Sequence, residues 1–115
     1  MTSYAFAHLR AQPPLHEDVF VYMERIQETL DPFQGRFLIH GGEIEVREGP
    51  FEGVIVLIEF PDLDAARAWY DSAAYQKIKS MCTDHVEGEL LLLEGVSAGH
   101  DSAALAATLR AAQQG

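Results

Sequence analysis

The sequence predicts an α+β fold in which one antiparallel sheet carries helices on one face. Apolar residues alternate with period 2 in some stretches and recur every three or four residues in others, in the order strand, helix, strand, strand, helix, strand. Residues 54–60 are apolar on both faces except for one glutamate, as expected of a central strand. At 115 residues with 48% hydrophobic residues, the chain is expected to hold one domain with a single core.

The first two elements are a strand over residues 4–10 and a helix over residues 16–30. In the strand, Tyr4, Phe6 and His8 share one face, and the small residues of the other face would let a helix approach closely. The helix is predicted from a stripe at i, i+3, i+4 and i+7. The stripe consists of Val19, Tyr22, Met23, Ile26 and Leu30.

Two further strands, 35–46 and 54–60, form a predicted hairpin at the centre of the chain. In the first, the parity of the apolar positions switches across Gly41 and Gly42. One extra residue there, a β-bulge, would restore a single apolar face. That face would hold Phe37, Ile39, Ile44 and Val46, and the opposite face Arg36, Leu38, His40, Glu43 and Glu45.

The next stretch predicts a helix in two parts and a last strand. Asp62 and Ser72 are residues that favour helix N-caps, and helical patterns follow each of them, over 63–70 and 73–84. The last strand covers residues 88–96, where Gly95 marks its end. The domain therefore ends on a strand.

The predicted order is the ferredoxin-like βαββαβ pattern. Right-handed crossovers then place the first strand between the third and the fourth. Helices cover only one sheet face, so the other apolar face needs a cover, and a second copy of the chain is the simplest one. We therefore expect a homodimer of a domain over residues 1–96. Residues 97–115 are Ala-rich and predict a helical tail whose narrow apolar stripe packs on a neighbour.

Composition excludes several classes of function. Eight basic residues against eighteen acidic ones give a net charge of −10, which repels phosphate, so nucleic acid and anionic membranes are not expected partners. No apolar run approaches the roughly 20 residues of a membrane span. The first residues show no signal-peptide pattern, and the single cysteine, Cys82, cannot form an intramolecular disulfide. We therefore expect a cytoplasmic protein.

Glu59 is the sharpest candidate for a catalytic residue. A lone carboxylate in an apolar strand must be paired, hydrogen-bonded or protonated. Counting outward from the hairpin loop places His40 near it, and a His–Glu pair would form a proton-transfer dyad. The alternative is a structural ion pair between Glu59 and Arg36 of the adjacent strand. Which partner Glu59 meets decides between catalysis and architecture.

Other residues are expected to line a pocket or to pair beside it. The histidines at 8, 40 and 85 have no ligand-like spacing, so no metal site is expected. The sequence contains no phosphate-binding glycine loop, and no cofactor is expected. Aromatic residues around the helix break are better explained as core or dimer contacts than as residues that stack on a substrate. The expected lining residues are His8, Tyr4, Trp69 and Tyr75.

Three motifs in order resemble the DUF1330 family of the dimeric α+β barrel superfamily. They are Gly-Arg-Phe-Leu-Ile-His-Gly-Gly-x-x-Glu at 35–45, the strand ending Leu-Ile-Glu-Phe-Pro at 54–61, and Ala-x-Ala-Trp-Tyr-Asp-Ser-x-x-Tyr-Gln at 66–76. The resemblance covers residues 4–96 and implies a ferredoxin-like homodimer. It implies no particular chemistry, since that superfamily includes cofactor-free monooxygenases, muconolactone isomerase-like enzymes, haem-handling proteins and stress-responsive barrels.

Two hypotheses for function follow. In the first, the protein is a cofactor-free oxygenase, isomerase or cyclase that holds a hydrophobic, aromatic or polyketide-like molecule in an apolar barrel cavity. Glu59 and His40 would then transfer protons. In the second, it is a non-catalytic dimeric module that binds a small ligand or has a structural or stress-related role. The two alternatives stay open on the sequence alone.

Overall fold

The computed structural model describes residues 1–114 and confirms the α+β fold. One four-stranded sheet has the order β2-β3-β1-β4, with every neighbouring pair antiparallel and β1 between β3 and β4, as predicted. The elements are β1 (Ser3–Arg10), α1 (Glu17–Leu30), a 3₁₀ turn (Asp31–Phe33), β2 (Arg36–His40), β3 (Val54–Phe60), α2 (Leu63–Asp71), α3 (Ala73–Thr83), β4 (Glu87–Glu94) and α4 (Ser102–Gln114).

The helix starts follow from local capping. The Asp62 carboxylate accepts a hydrogen bond from the backbone N–H of Ala65 at 2.8 Å, and the Ser72 hydroxyl caps α3 in the same way. At the start of α1, Nδ1 of His16 accepts from the backbone N–H of Asp18 at 3.0 Å. The two caps predicted from the sequence are confirmed, and His16 supplies a third.

Strand β1 separates two chemically different sheet faces. Ala5 and Ala7 are buried beneath the helices, whereas the larger Tyr4 and Phe6 lie half-buried on the other side. Paired residues of antiparallel strands share a face, so the register extends this second side onto β3 and β4. We call it the open sheet face; it holds Tyr4, Phe6, Ile55, Leu57, Glu59, Leu91 and Leu93.

The hairpin differs from the prediction. Strand β2 ends at His40, residues 41–53 form no strand, and the register irregularity lies between Phe37 and Ile39 rather than at the glycines. Gly41 and Gly42 have φ of +74° and +91°, a conformation that turns the chain out of the ladder. Phe37 pairs with Ile58 and Ile39 with Leu57, so these two apolar side chains point to opposite faces; Ile44 and Val46 are exposed.

The core is centred on Trp69, which is fully buried between the helices and the sheet. Its indole Nε1 donates to Oγ1 of Thr29 at 2.9 Å, and that hydroxyl donates to the carbonyl of Ile26 at 2.7 Å. The ring packs against Phe60 and Tyr75, with centroid separations of 5.6 and 4.3 Å. One hydroxyl therefore satisfies the indole donor and links α2 to α1.

The C-terminal tail is helical, as predicted, and α4 is exposed along its whole length. Leu105 and Leu109 are 46% and 60% exposed. The radius of gyration of 16.8 Å exceeds the roughly 13 Å of a compact chain of about 100 residues, because the tail and the hairpin loop project from the domain. No helix among residues 1–114 has the length and apolar character that crossing a membrane requires.

The Thr29 hydroxyl gives a first prediction. Thr29→Val keeps the shape of the side chain but leaves the Trp69 indole N–H buried without an acceptor, which should lower the free energy of unfolding by about 1–3 kcal/mol. The matched control Thr108→Val, on exposed α4, should change it by less than about 0.5 kcal/mol. Urea unfolding followed by Trp69 fluorescence measures both. Equal stability of the two variants would contradict this role for the hydroxyl.

Candidate functional site

Glu59 pairs with Arg36 across the β2–β3 ladder. Oε1 of Glu59 lies 2.7 Å from Nε of Arg36, and the two side chains are 26% and 70% exposed. The partly exposed ion pair satisfies the carboxylate while contributing about 0–1 kcal/mol to stability. Of the two partners considered for Glu59, the structure supplies Arg36.

His40 lies on the opposite face of the sheet from Glu59. It pairs with Val56, and because side chains alternate along a strand, residues 56 and 59 point to opposite sides. The His40 ring stacks on Phe37 with a centroid separation of 4.2 Å. The structure therefore does not assemble the expected His–Glu dyad; the irregularity at Leu38 and the early end of β2 change the register on which that expectation depended.

His8 and Tyr4 also lie apart from His40. Nε2 of His8 is 2.7 Å from the backbone carbonyl of Glu52, and its ring stacks on Phe51 at 4.8 Å. Tyr4 pairs with Glu59 in the ladder and so belongs to the open sheet face. By contrast, Trp69 and Tyr75 line a cavity on the helical side of the sheet.

That cavity, of about 470 Å³, lies between the helices and the sheet. Its sheet side includes Ala7, Val56 and Leu90, which the β1 register places side by side. Ala7 is the smallest of these side chains, and its size leaves room that a larger residue would fill. Most of the remaining lining is apolar or aromatic, including Leu15, Val19, Met23, Ile26, Phe37, Trp69, Tyr70 and Val86.

Two tyrosine hydroxyls lie among the polar groups of the cavity lining. Tyr22 on α1 and Tyr75 on α3 are hydrogen-bonded through their hydroxyl oxygens at 3.0 Å. Burial raises the pKa of Tyr22 well above its ordinary value and that of Tyr75 to about 12, although the hydrogen bond with Tyr22 opposes the rise for Tyr75. Both are neutral phenols near pH 7. Their mutual bond uses one of two hydroxyl hydrogens, so one remains available for a ligand.

Two other lining residues, Lys79 and Cys82, differ in charge and polarity. Lys79 brings a positive charge, and its Nζ lies 5.5 Å from the centroid of the Tyr70 ring. Burial raises the pKa of the Cys82 thiol, so Cys82 is protonated at neutral pH and lines the cavity as a small apolar side chain. His40 also lines the cavity.

Sequence reasoning did not identify Tyr22, Met23 or Lys79 as site residues. Tyr22 and Met23 belong to the apolar stripe of α1, which was assigned to the core. A tyrosine on such a stripe needs a hydrogen-bond partner when it is buried. Tyr22 and Tyr75 each occupy such a position on separate helices. A hydrogen bond between them is therefore the sequence feature that could have identified Tyr22 as a site residue.

An antiparallel four-stranded sheet with helices on one side and a cavity between the layers defines a ferredoxin-like α+β domain. The chain belongs to the DUF1330 family, a domain of unknown function, whose family model matches residues 2–96. This confirms the resemblance found in the sequence. Helix α4 lies outside the matched residues. No curated protein matches the sequence.

Solved structures share the fold at low sequence identity. The methylated RPA0582 protein gives a TM-score of 0.65 at 14% identity over 86% of this chain and 84% of that chain; RPA0582 is described as a protein of unknown function from Rhodopseudomonas palustris. SnoaB from Streptomyces nogalater, described as a cofactor-independent oxygenase, gives 0.50 at 16% identity over 87% and 96%. A protein of unknown function from Bacteroides fragilis, described as dimeric with a ferredoxin-like fold, gives 0.48 at 13% over 82% and 96%.

The tyrosine pair predicts a loss of stability in alkali. Unfolded tyrosines ionise near pH 10, whereas the pKa of folded Tyr75 is about 12, so the unfolded state loses its protons first. The free energy of unfolding should therefore fall as the pH rises above about 10, by up to about 1.4 kcal/mol per pH unit for each group. Urea unfolding at a series of pH values measures this slope. Tyr75→Phe should reduce the slope; parallel profiles for the variant and the parent would refute the assignment.

Proposed function

We propose that this protein binds an apolar small molecule in the cavity between its helices and its sheet. The observation that carries the proposal is the cavity itself: about 470 Å³, lined mainly by apolar and aromatic side chains. Ligand pockets in proteins span roughly 300–1,000 Å³ and combine such a lining with a few polar groups. Here those groups are the hydroxyls of Tyr22 and Tyr75, His40 and Lys79.

The lining favours a planar ligand with an oxygen acceptor. Phe37 and Tyr70, both half-buried in the lining, supply aromatic surfaces, which pack against flat rings in stacked or edge-on arrangements. The free hydrogen of the tyrosine pair would bind a carbonyl or phenolic oxygen, and Lys79 would favour negative charge at that end. An aromatic or polyketide-like molecule with such an oxygen fits this pattern.

A cofactor-free enzyme acting on the same molecule is the second candidate. His40 lines the cavity and would exchange a proton with the ligand, while Glu59, on the other sheet face, would keep Arg36 in place. The fold shared with SnoaB, described as a cofactor-independent oxygenase, supports this candidate by analogy of fold alone. The alternative is a binding module with the same cavity and no turnover.

We also propose that the open sheet face binds a second copy of the chain. Leu91 and Leu93 are 49% and 42% exposed on it, beside Phe6 and Leu57 in the adjacent strands. A contiguous apolar surface of this kind is covered most simply by the same surface on a symmetry-related copy. We further propose that the protein works in the cytoplasm, since the unpaired thiol of Cys82 is compatible with a reducing compartment.

The cavity is tested by filling it. Ala7→Leu should occupy the space beside Val56. Its affinity for 1-anilinonaphthalene-8-sulfonate, an apolar anionic probe whose fluorescence rises on binding, should therefore fall by more than about tenfold. The matched control Ala103→Leu adds the same atoms on exposed α4 and should bind the probe like the parent. Unchanged binding by Ala7→Leu would remove the cavity as the binding site.

The natural ligand is sought with the same pair of variants. Parent protein incubated with a metabolite extract and analysed by native mass spectrometry should retain a molecule that Ala7→Leu does not. If the retained molecule is converted during incubation, and His40→Ala retains it without converting it, the enzymatic candidate is supported. Retention without conversion by the parent supports the binding module.

The dimer prediction compares two exposed leucines. Leu91→Glu puts a charge on the open sheet face and should convert a dimer into a monomer in sedimentation velocity, because an unpaired charge in an apolar interface costs several kcal/mol, roughly 3–5. Leu109→Glu puts the same charge on α4 and should leave the dimer intact. A parent that sediments as a monomer, or dissociation by Leu109→Glu alone, would exclude the open sheet face as the interface.

A further inference from the structure

We propose that His16, Asp18 and His85 form a binding site for one divalent transition-metal ion of the zinc type. The three side chains come from distant parts of the sequence: two from the start of α1 and one from the link between α3 and β4. The fold brings together two imidazole nitrogens and one carboxylate. The site is separate from the cavity and would bind its ion whether or not the cavity holds a ligand.

The distances are close to those of a coordination sphere. Oδ2 of Asp18 lies 3.2 Å from Nε2 of His85 and 3.7 Å from Nδ1 of His16. The three prospective ligand atoms all lie within 4.8 Å of one another. A tetrahedral ion with bonds of about 2.0 Å holds its ligands about 3.3 Å apart. Side-chain rotations would therefore have to close the remaining distances.

The two imidazole rings lie face to face, and one of them would turn out of the stack so that both in-plane lone pairs reach one ion. His16 and His85 stack with centroids 3.8 Å apart and an interplanar angle of 8°. Nδ1 of His16 accepts a hydrogen bond from the backbone N–H of Asp18, so its lone pair already points toward this end of α1. A metal ion would replace that hydrogen bond, which is the cost of binding at this nitrogen.

The donor set selects the class of ion. Two imidazoles and a carboxylate suit zinc and its first-row neighbours, and three protein ligands leave a fourth position for water. Calcium and magnesium prefer shells made entirely of oxygen, so they are poor occupants. Glu17 and the net charge of −10 favour the approach of a cation.

An ion at this site would link two segments that line the cavity. Each proposed ligand is next in the chain to a residue that lines the cavity: Leu15, Val19 and Val86, respectively. A bound ion would therefore hold the start of α1 to the end of α3 at this wall. The ring stacking and the hydrogen bonds already join these segments without an ion.

The test uses the full chain without an affinity tag, stripped with a chelator. Cobalt(II) titration followed by visible absorption, and zinc titration by calorimetry, should each saturate at one equivalent, and zinc should raise the midpoint of thermal unfolding. Absence of saturable binding, or a zinc titration without any effect on the midpoint, would overturn the proposal.

Three variants locate the ion. His85→Ala and Asp18→Asn should each weaken zinc binding by about tenfold or more. His16→Asn removes the imidazole but keeps a residue that caps helices well, so it tests the third ligand in a folded chain. His100→Ala, in the exposed segment before α4, should bind zinc like the parent. With folding checked by circular dichroism, parent-like affinity in all three site variants, or a loss in His100→Ala, would refute this location.

Discussion

The alternation of large and small side chains along β1 is the constraint on which the rest of the structure depends. Because β1 hydrogen-bonds to both β3 and β4, its two faces set the character of the whole sheet. Ala5 allows the helical layer to close over the core around Trp69, and Ala7 leaves the space that becomes the cavity. On the reverse side, the bulk of Tyr4 and Phe6 creates an apolar face that the helices do not cover.

The sheet also divides the polar residues between two environments. Glu59 and Arg36 neutralise one another on the partly exposed side, where a carboxylate keeps much of its hydration. The hydroxyls of Tyr22 and Tyr75 lie with the apolar cavity on the other side, where their mutual hydrogen bond counts for more because water is scarce, and the exposed His40 lies at the edge of the same cavity. The ion pair therefore lies on the sheet face opposite the residues of the proposed binding cavity.

Local patterns predicted the elements well and their register poorly. The stripe of α1 and the caps Asp62 and Ser72 depend on short-range periodicity and on side chains that bond their own backbone, so they are legible in sequence. The prediction for the hairpin was wrong at the two glycines because such a pair is compatible with both a β-bulge and the end of a strand. Which of the two forms depends on the surrounding structure. Tyr22 was assigned to the core because an apolar stripe on a helix has the same sequence pattern whether it packs against other side chains or lines a cavity.

The opposed faces of β1 have a consequence for how such a domain evolves. Even-numbered positions such as Tyr4 and Phe6 meet the proposed partner copy, while odd-numbered ones such as Ala5 and Ala7 meet the core and the cavity. A substitution at one parity changes assembly with little effect on the pocket, and one at the other parity does the reverse. The proposed dimer interface and the proposed ligand cavity would thus change independently along a single eight-residue strand.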